Sequence, residues 1–414
     1  MSFSHSIEVN GRAYGAPGSP VVVVCIDGSE PDYHEQAIAH GRMPYLERLV
    51  ATGSALTGDC AMPSFTNPNN LSIATGRPPA VHGISGNYFF DPELGEEVMM
   101  NEPRFLRAPT IFAQFAEIGS SVAIVTAKDK LRRLLGAGLQ PSEKAICFSA
   151  EKADQATLAE NGIEDVLAKV GKPLPSVYSA DLSEFVLAAG VTVMEAQRPD
   201  LMYLSLTDYV QHKYAPGTPE ADDFYAMMDG YFARLDELGA VLVITADHGM
   251  NAKSDDAGKP TVVYLQELLD DTLGHDAARV ILPITDPYTV HHGALGSFAC
   301  VHLPDGVDHA AIAAEVAASE GVAEVHPSAD AAVRYELPAD RIGDLVVIAE
   351  RTVALGTTPE RHDLSALDRP LRSHGGLTEQ RVPFLVNRPV TVPDGHRLRN
   401  FDAYWVALNL LRTR

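Results

Sequence analysis

The chain has 414 residues, 46% of them hydrophobic and 21% charged, a globular composition too long for one ordinary domain. Lys and Arg number 32 against 55 Asp and Glu, and a net charge of −23 argues against a nucleic-acid-binding surface. An anionic substrate would therefore need metal cations or local lysines to reverse the field in its pocket.

Met1 to Ala13 show no basic region followed by a long apolar stretch, so no signal peptide is expected. No apolar run approaches the roughly 20 residues needed to cross a bilayer, and the expected location is the cytoplasm, without membrane contact. Cys25, Cys60, Cys147 and Cys300 are widely spaced and form no C-x-x-C pair, so no disulfide framework is expected.

Val21 to Ile26 is a β-branched run between Pro20 and Asp27-Gly28, the pattern of a strand buried on both faces. Cys25 inside it reads as a small core residue. Asp27 then stands at the strand's carboxyl end, where an ordinary Asp-Gly turn explains it equally well. His34 and His40 read as helix-surface residues, ahead of a helix over Met43 to Thr52. Met62 to Gly76 reads as a loop entering a helix, with Thr66 near the helix N-terminus. Free N–H groups there favour an anion, and a metal-activated hydroxyl could attack phosphorus. A plain threonine N-cap is the simpler alternative. His82, before Gly83, reads as shaping the turn that presents Asn87.

Ser121 to Thr126 is a second buried strand, followed by Lys128 and Lys130. With Arg132 and Arg133 these lysines are either a solvated basic patch or an anion-binding pair past a strand end. A helix is expected over Ser183 to Met194 and a strand over Leu201 to Leu206. The next helix opens with Asp208 and carries His212 four residues on, one turn away on the same face, where both can ligate one metal. Pro219 to Leu238 reads as a helix and Ala240 to Thr245 as a strand. That strand ends in Asp247-His248-Gly249, and a buried strand rarely ends in adjacent Asp and His unless something binds them.

From about Gly258 to Ala366 the elements become short, including a helix over Asp308 to Ala317 and a strand over Asp344 to Ile348. His291 and His292 fall there and read as structural or substrate-facing. Ser373-His374-Gly375-Gly376 follows, then a strand over Val382 to Val386 and a terminal helix near Tyr404 to Leu411. The alternation predicts an α/β fold with a mostly parallel central sheet and helices on both faces. Residues 1–257 and 367–414 would form the catalytic core, and 258–366 an inserted α+β cap. Asp27, Thr66, Asp208, His212, Asp247, His248 and His374 together offer four oxygens and three imidazole nitrogens, a donor set suited to two divalent ions. A metal-stabilised binding protein without turnover is the alternative outside enzymes.

Four segments carry a likeness: the strand ending in Asp27; Thr66-x-Pro68-Asn69 through Thr75-Gly76; His82-Gly83-Ile84-x-x-Asn87; and Ala246-Asp247-His248-Gly249-Met250. With Asp208-x-x-x-His212 and His374-Gly375 they resemble the alkaline phosphatase superfamily, within it the nucleotide pyrophosphatase/phosphodiesterase branch. The resemblance implies one ion held by Asp208, His212 and His374, and another by Asp27, Thr66, Asp247 and His248. Zn2+ is the first choice, and Mn2+ or Fe2+ suit the same ligands. It also implies that Thr66 is the nucleophile, with Asn87, His212 and His374 facing the substrate. Thr126-Ala-Lys128-Asp-Lys130, Tyr178 to Ser183 and Asp208 to Lys213 are similar to members that cleave the C–P bond of a small carboxylated phosphonate. On that likeness Lys128 and Lys130 bind the carboxylate, and the reaction passes through a phosphothreonine. A phosphodiesterase or nucleotide pyrophosphatase using the same metals is the alternative, weakened by Gln211, where phosphodiesterases often have glycine. A small-molecule phosphonate is the expected partner, and a homodimer is one option for assembly.

Overall fold

The computed structural model describes residues 6–285, 294–365, 367 and 369–412. His291 and His292 lie outside the described residues.

Seven strands form the central sheet: β1 (Val21–Cys25), β2 (Ser54–Asp59), β3 (Val122–Thr126), β4 (Ala145–Ser149), β5 (Leu201–Ser205), β6 (Val241–Thr245) and β7 (Arg381–Val386). Their order is β2-β7-β6-β1-β5-β3-β4. β6, β1, β5, β3 and β4 run parallel, and β7 runs antiparallel to both β6 and β2. The carboxyl ends of six strands and the amino end of β7 therefore meet at one edge. Ligands collect at such an edge because each strand end frees a loop there.

Side chains alternate across the sheet with the two-residue period of a pleated strand. Val22, Val24, Val125, Met202, Leu204 and Ile244 pack beneath helices Pro31–Ala39, Pro44–Thr52, Asp181–Gln197 and Pro219–Glu237. Val21, Val23, Cys25, Ile124, Tyr203 and Val243 face the opposite layer, with helices Thr66–Thr75, Ile111–Glu117, Asp129–Leu135 and Ala403–Asn409. Both faces are covered, which is why the parallel strands read as unbroken apolar runs. Among the described residues, no helix is long and apolar enough to cross a membrane.

A second, four-stranded antiparallel sheet joins Arg279–Ile281, Phe298–His302, Leu345–Ala349 and Val322–Pro327 in that spatial order. Helices Leu265–Leu273, His309–Ala317 and Ser328–Tyr335 accompany it. Its hydrophobic cluster draws in Met62 and Phe65, the apolar residues of the loop leading to Thr66.

The expected long helices and buried strands are present with shifted ends: the helix expected over Ser183 to Met194 spans Asp181–Gln197, and the terminal helix spans Ala403–Asn409. His34 corrects one expectation. It lies on the same helix face as Pro31 and Ala37, buried rather than exposed, and burial holds its imidazole down to about 4. His40 remains at the helix end, paired with Asp222 at 2.6 Å.

Candidate metal centre

Thr66 enters the edge from a helix start, and the other candidate ligands enter it from segments beside strand ends. β1 ends two residues before Asp27, β6 two before Asp247, and β5 leads through Leu206 and Thr207 to Asp208. His374 precedes the reversed strand β7 and so approaches the same edge from the opposite chain direction. Two glycines make this approach possible. At Gly28 (φ +71°) a Cβ would lie 3.2 Å from the Asp208 Cβ, and at Gly375 (φ +121°) a Cβ would lie 2.4 Å from the Phe65 ring.

Two buried clusters result, Asp208 with His212 and His374, and Asp27 with Asp247 and His248; within each, the donor atoms lie within 4.8 Å of one another. Thr66 sits at the first position of its helix, with Phe65 at the N-cap, so its hydroxyl is not a cap. Its Oγ1 lies 3.4 Å from His248 Nε2. Asp208 occupies the N-cap of helix Tyr209–Lys213 without a capping bond from its side chain, and its Oδ2 lies 2.9 Å from His212 Nε2. The ordinary capping reading of Thr66 therefore fails.

All three histidines bond a backbone carbonyl through Nδ1: His212 to Arg372 O at 2.8 Å, His248 to Gly249 O at 2.9 Å, His374 to Ser64 O at 2.8 Å. A carbonyl only accepts, so each Nδ1 carries hydrogen and each Nε2 is the nitrogen presented to the site. That fixed tautomer is the arrangement metal-binding imidazoles adopt. The rings of His248 and His374 stack with centroids 3.7 Å apart and planes 7° from parallel.

Electrostatics favour added positive charge here. Burial, reinforced by Asp208 and Asp247, pushes the Asp27 carboxyl well above its ordinary value, and burial also raises Asp247. Burial opposes charge on His248, yet Asp247 and then Asp27 carry it up to about 10. Burial, with His248 and His212 beside it, holds His374 well below the ordinary imidazole value. Asp27 Oδ1, 3.2 Å from His248 Nε2, accepts no aligned hydrogen bond. Buried carboxylates interleaved with imidazole nitrogens fit divalent cations of the zinc, manganese or iron type, whose binding would take the place of the proton on His248.

Thr66, Asp27, Asp208 and His374 open onto a cleft of about 80 Å³ also lined by Asn87, Lys128 and Lys130. Asn87 Oδ1 accepts the Asn67 N–H at 3.0 Å, which turns the Asn87 amide nitrogen away from that bond. Lys128 caps helix Asp129–Leu135, and both lysines are half-buried, while Arg132 turns aside to Asp129 at 2.6 Å. The candidate residues thus converge on one place.

Several partners escaped the sequence reading. Asn70 donates to Asp247 Oδ2 and to Thr66 O, each at 3.0 Å, while its own Oδ1 accepts from Tyr203 (2.7 Å) and Ser205 (2.9 Å). Asn69 donates to the carbonyls of Ala61, Pro63 and Phe65 and so fixes the loop before Thr66. The Asn-Asn pair after Pro68 was the available signal, four residues beyond Thr66 at Asn70.

Comparisons with known proteins bear on the fold and the family. A crystal structure of phosphonoacetate hydrolase from Sinorhizobium meliloti, in complex with phosphonoacetate, is 59% identical and superposes with a TM-score of 0.95 over 98% of this chain and 99% of that one. Murine ectonucleotide pyrophosphatase/phosphodiesterase 5, at 18% identity and a TM-score of 0.64 over 96% of both chains, shares the fold. Phosphonoacetate hydrolase of Penicillium oxalicum is 55% identical over 42 residues, 9% of this chain and 58% of that protein. An ectonucleotide pyrophosphatase/phosphodiesterase of Caenorhabditis elegans is 26% identical over 60% of this chain and 31% of its own length. The chain spans between 18% and 58% of the length of the curated relatives it matches. The family model described as type I phosphodiesterase / nucleotide pyrophosphatase covers residues 21–377, from β1 through His374. Because that model spans most of the chain, the chain belongs to the type I phosphodiesterase / nucleotide pyrophosphatase family.

Proposed function

We propose that the chain hydrolyses the C–P bond of phosphonoacetate, giving acetate and phosphate, with Thr66 as nucleophile. The observation that carries this reading is one cleft holding both the Thr66 hydroxyl and two lysines, Lys128 and Lys130. The full-length counterpart bound to phosphonoacetate supports the choice of substrate. Asp208, His212 and His374 would hold one divalent ion, and Asp27, Thr66, Asp247 and His248 a second. When bound, such ions polarise phosphonyl oxygens and ease loss of the threonine proton.

Everything else falls to the chain's own groups. Thr66 Oγ1 forms a bond to phosphorus as the P–C bond breaks in line, and the P–C electron pair passes to the methylene carbon. That charge delocalises into the adjoining carboxylate, where Lys128 and Lys130 stabilise it as it accumulates. Water protonates the carbon to give acetate, and the hydroxide left behind combines with the proton that Thr66 lost. A second water then adds to phosphorus, breaks the P–Oγ1 bond and returns the proton to Thr66, releasing phosphate. Asn87 donates its amide N–H to a phosphonyl oxygen, and His212 and His374 border the same oxygens. We further propose that residues 258–366 act as a cap on a core of 1–257 and 367–414.

A nucleotide reading finds less support. Phe89 packs edge-on against Phe105, and Phe90 packs against His302 and Arg279, so neither ring offers an open stacking face. The test is phosphate release from phosphonoacetate set against hydrolysis of nitrophenyl phosphodiesters, each with and without chelator. Faster turnover of the diester would overturn the reading.

A further inference from the structure

Lys253 and Glu379 are fully buried, with Nζ 2.9 Å from Oε1. Lys and Glu are almost never so buried unless paired, and such a pair is weak evidence for stability because desolvation offsets the attraction. Its location gives it another use. Glu379 Oε2 accepts the N–H of Gly376 at 2.9 Å, two residues from His374. Its backbone carbonyl accepts the N–H of Gly249 at 2.7 Å, beside His248, and the Gly249 carbonyl fixes His248 Nδ1. Oε1 also accepts from Asn251 and Thr378, each at 2.6 Å. Lys253 Nζ bonds the Arg351 carbonyl at 2.7 Å, beyond the second sheet's Leu345–Ala349 strand.

One carboxylate thus ties together a loop from each buried cluster, behind the stacked rings of His248 and His374. We propose that Lys253 and Glu379 are a positioning pair that sets the separation of those imidazoles and so the spacing of the two metal sites. This inference rests on the two-metal reading above. Neither residue touches substrate; both act through the two histidines. Because three neutral donors and a buried cation share the Glu379 carboxylate, it has one position, and the two loops cannot drift independently.

The test replaces both charges, Lys253→Met with Glu379→Met, so that no unpaired ion is left buried. Zinc affinity is measured by competition with a chromophoric chelator, beside the Co2+ absorption spectrum and kcat and KM for phosphonoacetate. A folded double variant with affinity lowered about 10–100-fold, an altered spectrum and a fall in kcat larger than the change in KM is expected. Wild-type affinity and spectrum in the folded variant would overturn the inference. If the double variant does not fold, Asn251→Ala and Thr378→Val each remove one donor from Glu379 without stranding a charge; weakened zinc affinity supports the pair's role, and unchanged affinity overturns it. Failure of the wild-type protein to bind two ions would instead remove the two-metal reading itself.

Discussion

At the scale of single residues, the sharpest expectation concerns Thr66. Thr66→Ala removes the atom placed 3.4 Å from His248 Nε2 and leaves the carboxylates and imidazoles intact. Turnover of phosphonoacetate should fall by about three orders of magnitude or more, while zinc content measured by atomic absorption stays near wild type. Substantial residual activity would assign the nucleophile elsewhere. Glu30 gives a pH expectation. Burial raises its carboxyl to about 7, although Arg372 opposes the shift. A carboxyl raised on folding supplies stability below its unfolded value, near 4.3, and loses it as pH climbs through the folded value. Glu30→Gln should therefore gain stability relative to wild type between pH 5 and 8, by on the order of 2 kcal/mol in urea titrations. A pH-independent difference would contradict this.

At the scale of elements, the turn Gly375-Gly376 carries the most consequence for the least side chain. Gly375→Ala would bring a methyl group within 2.4 Å of the Phe65 ring in a left-handed conformation, so His374 must move. Zinc stoichiometry should drop below two per chain, with kcat falling alongside it; a variant that keeps both would show the loop to be adaptable. Lys128→Ala with Lys130→Ala should abolish phosphonoacetate turnover, whereas full activity would cancel the carboxylate assignment. The elements legible in the sequence are those with long apolar runs or amphipathic spans, such as β1, β6 and helix Pro219–Glu237. β2 (Ser54–Asp59) was not legible: at the sheet edge its residues alternate in burial around Gly58, and edge strands lack the two-sided apolar signature. β4 (Ala145–Ser149), the other edge, is buried throughout, and Cys147 and Ser149 interrupt its aliphatic run. The candidate ligands were legible because Asp and His at strand ends are locally unusual. The carbonyls that set the His212 and His374 tautomers, the Asn70 bridge to Asp247 and the Lys253–Glu379 pair were not, since each joins segments more than 100 residues apart, as Asn70 and Asp247 do at a separation of 177.

At the scale of the whole molecule, a net charge of −23 surrounds a cleft meant for an anion. On the proposed function, two divalent ions and two lysines would supply up to six positive charges at that point and reverse the local field. Chelation should accordingly lower thermal stability as well as activity. Ligands that bind the native state alone stabilise it by about 3–4 kcal/mol at 100 to 1,000 times their dissociation constant. Chelator should reduce the melting temperature by several degrees and abolish phosphate release, and added zinc should restore both; loss of activity with no thermal shift would place the metal outside the folded centre.

The reversed direction of β7 bears on the order in which the molecule is made. Synthesis proceeds from the amino end, so Asp27, Thr66, Asp208, His212, Asp247 and His248 all leave the ribosome long before His374 and the strand that follows it. A nascent chain ending before residue 374 can gather the Asp27, Asp247 and His248 group, yet its Asp208 and His212 lack their third donor. Completion of the centre then coincides with insertion of β7 between two strands already synthesised, β2 and β6. Birth of a competent catalyst is thereby deferred until β7 has been made.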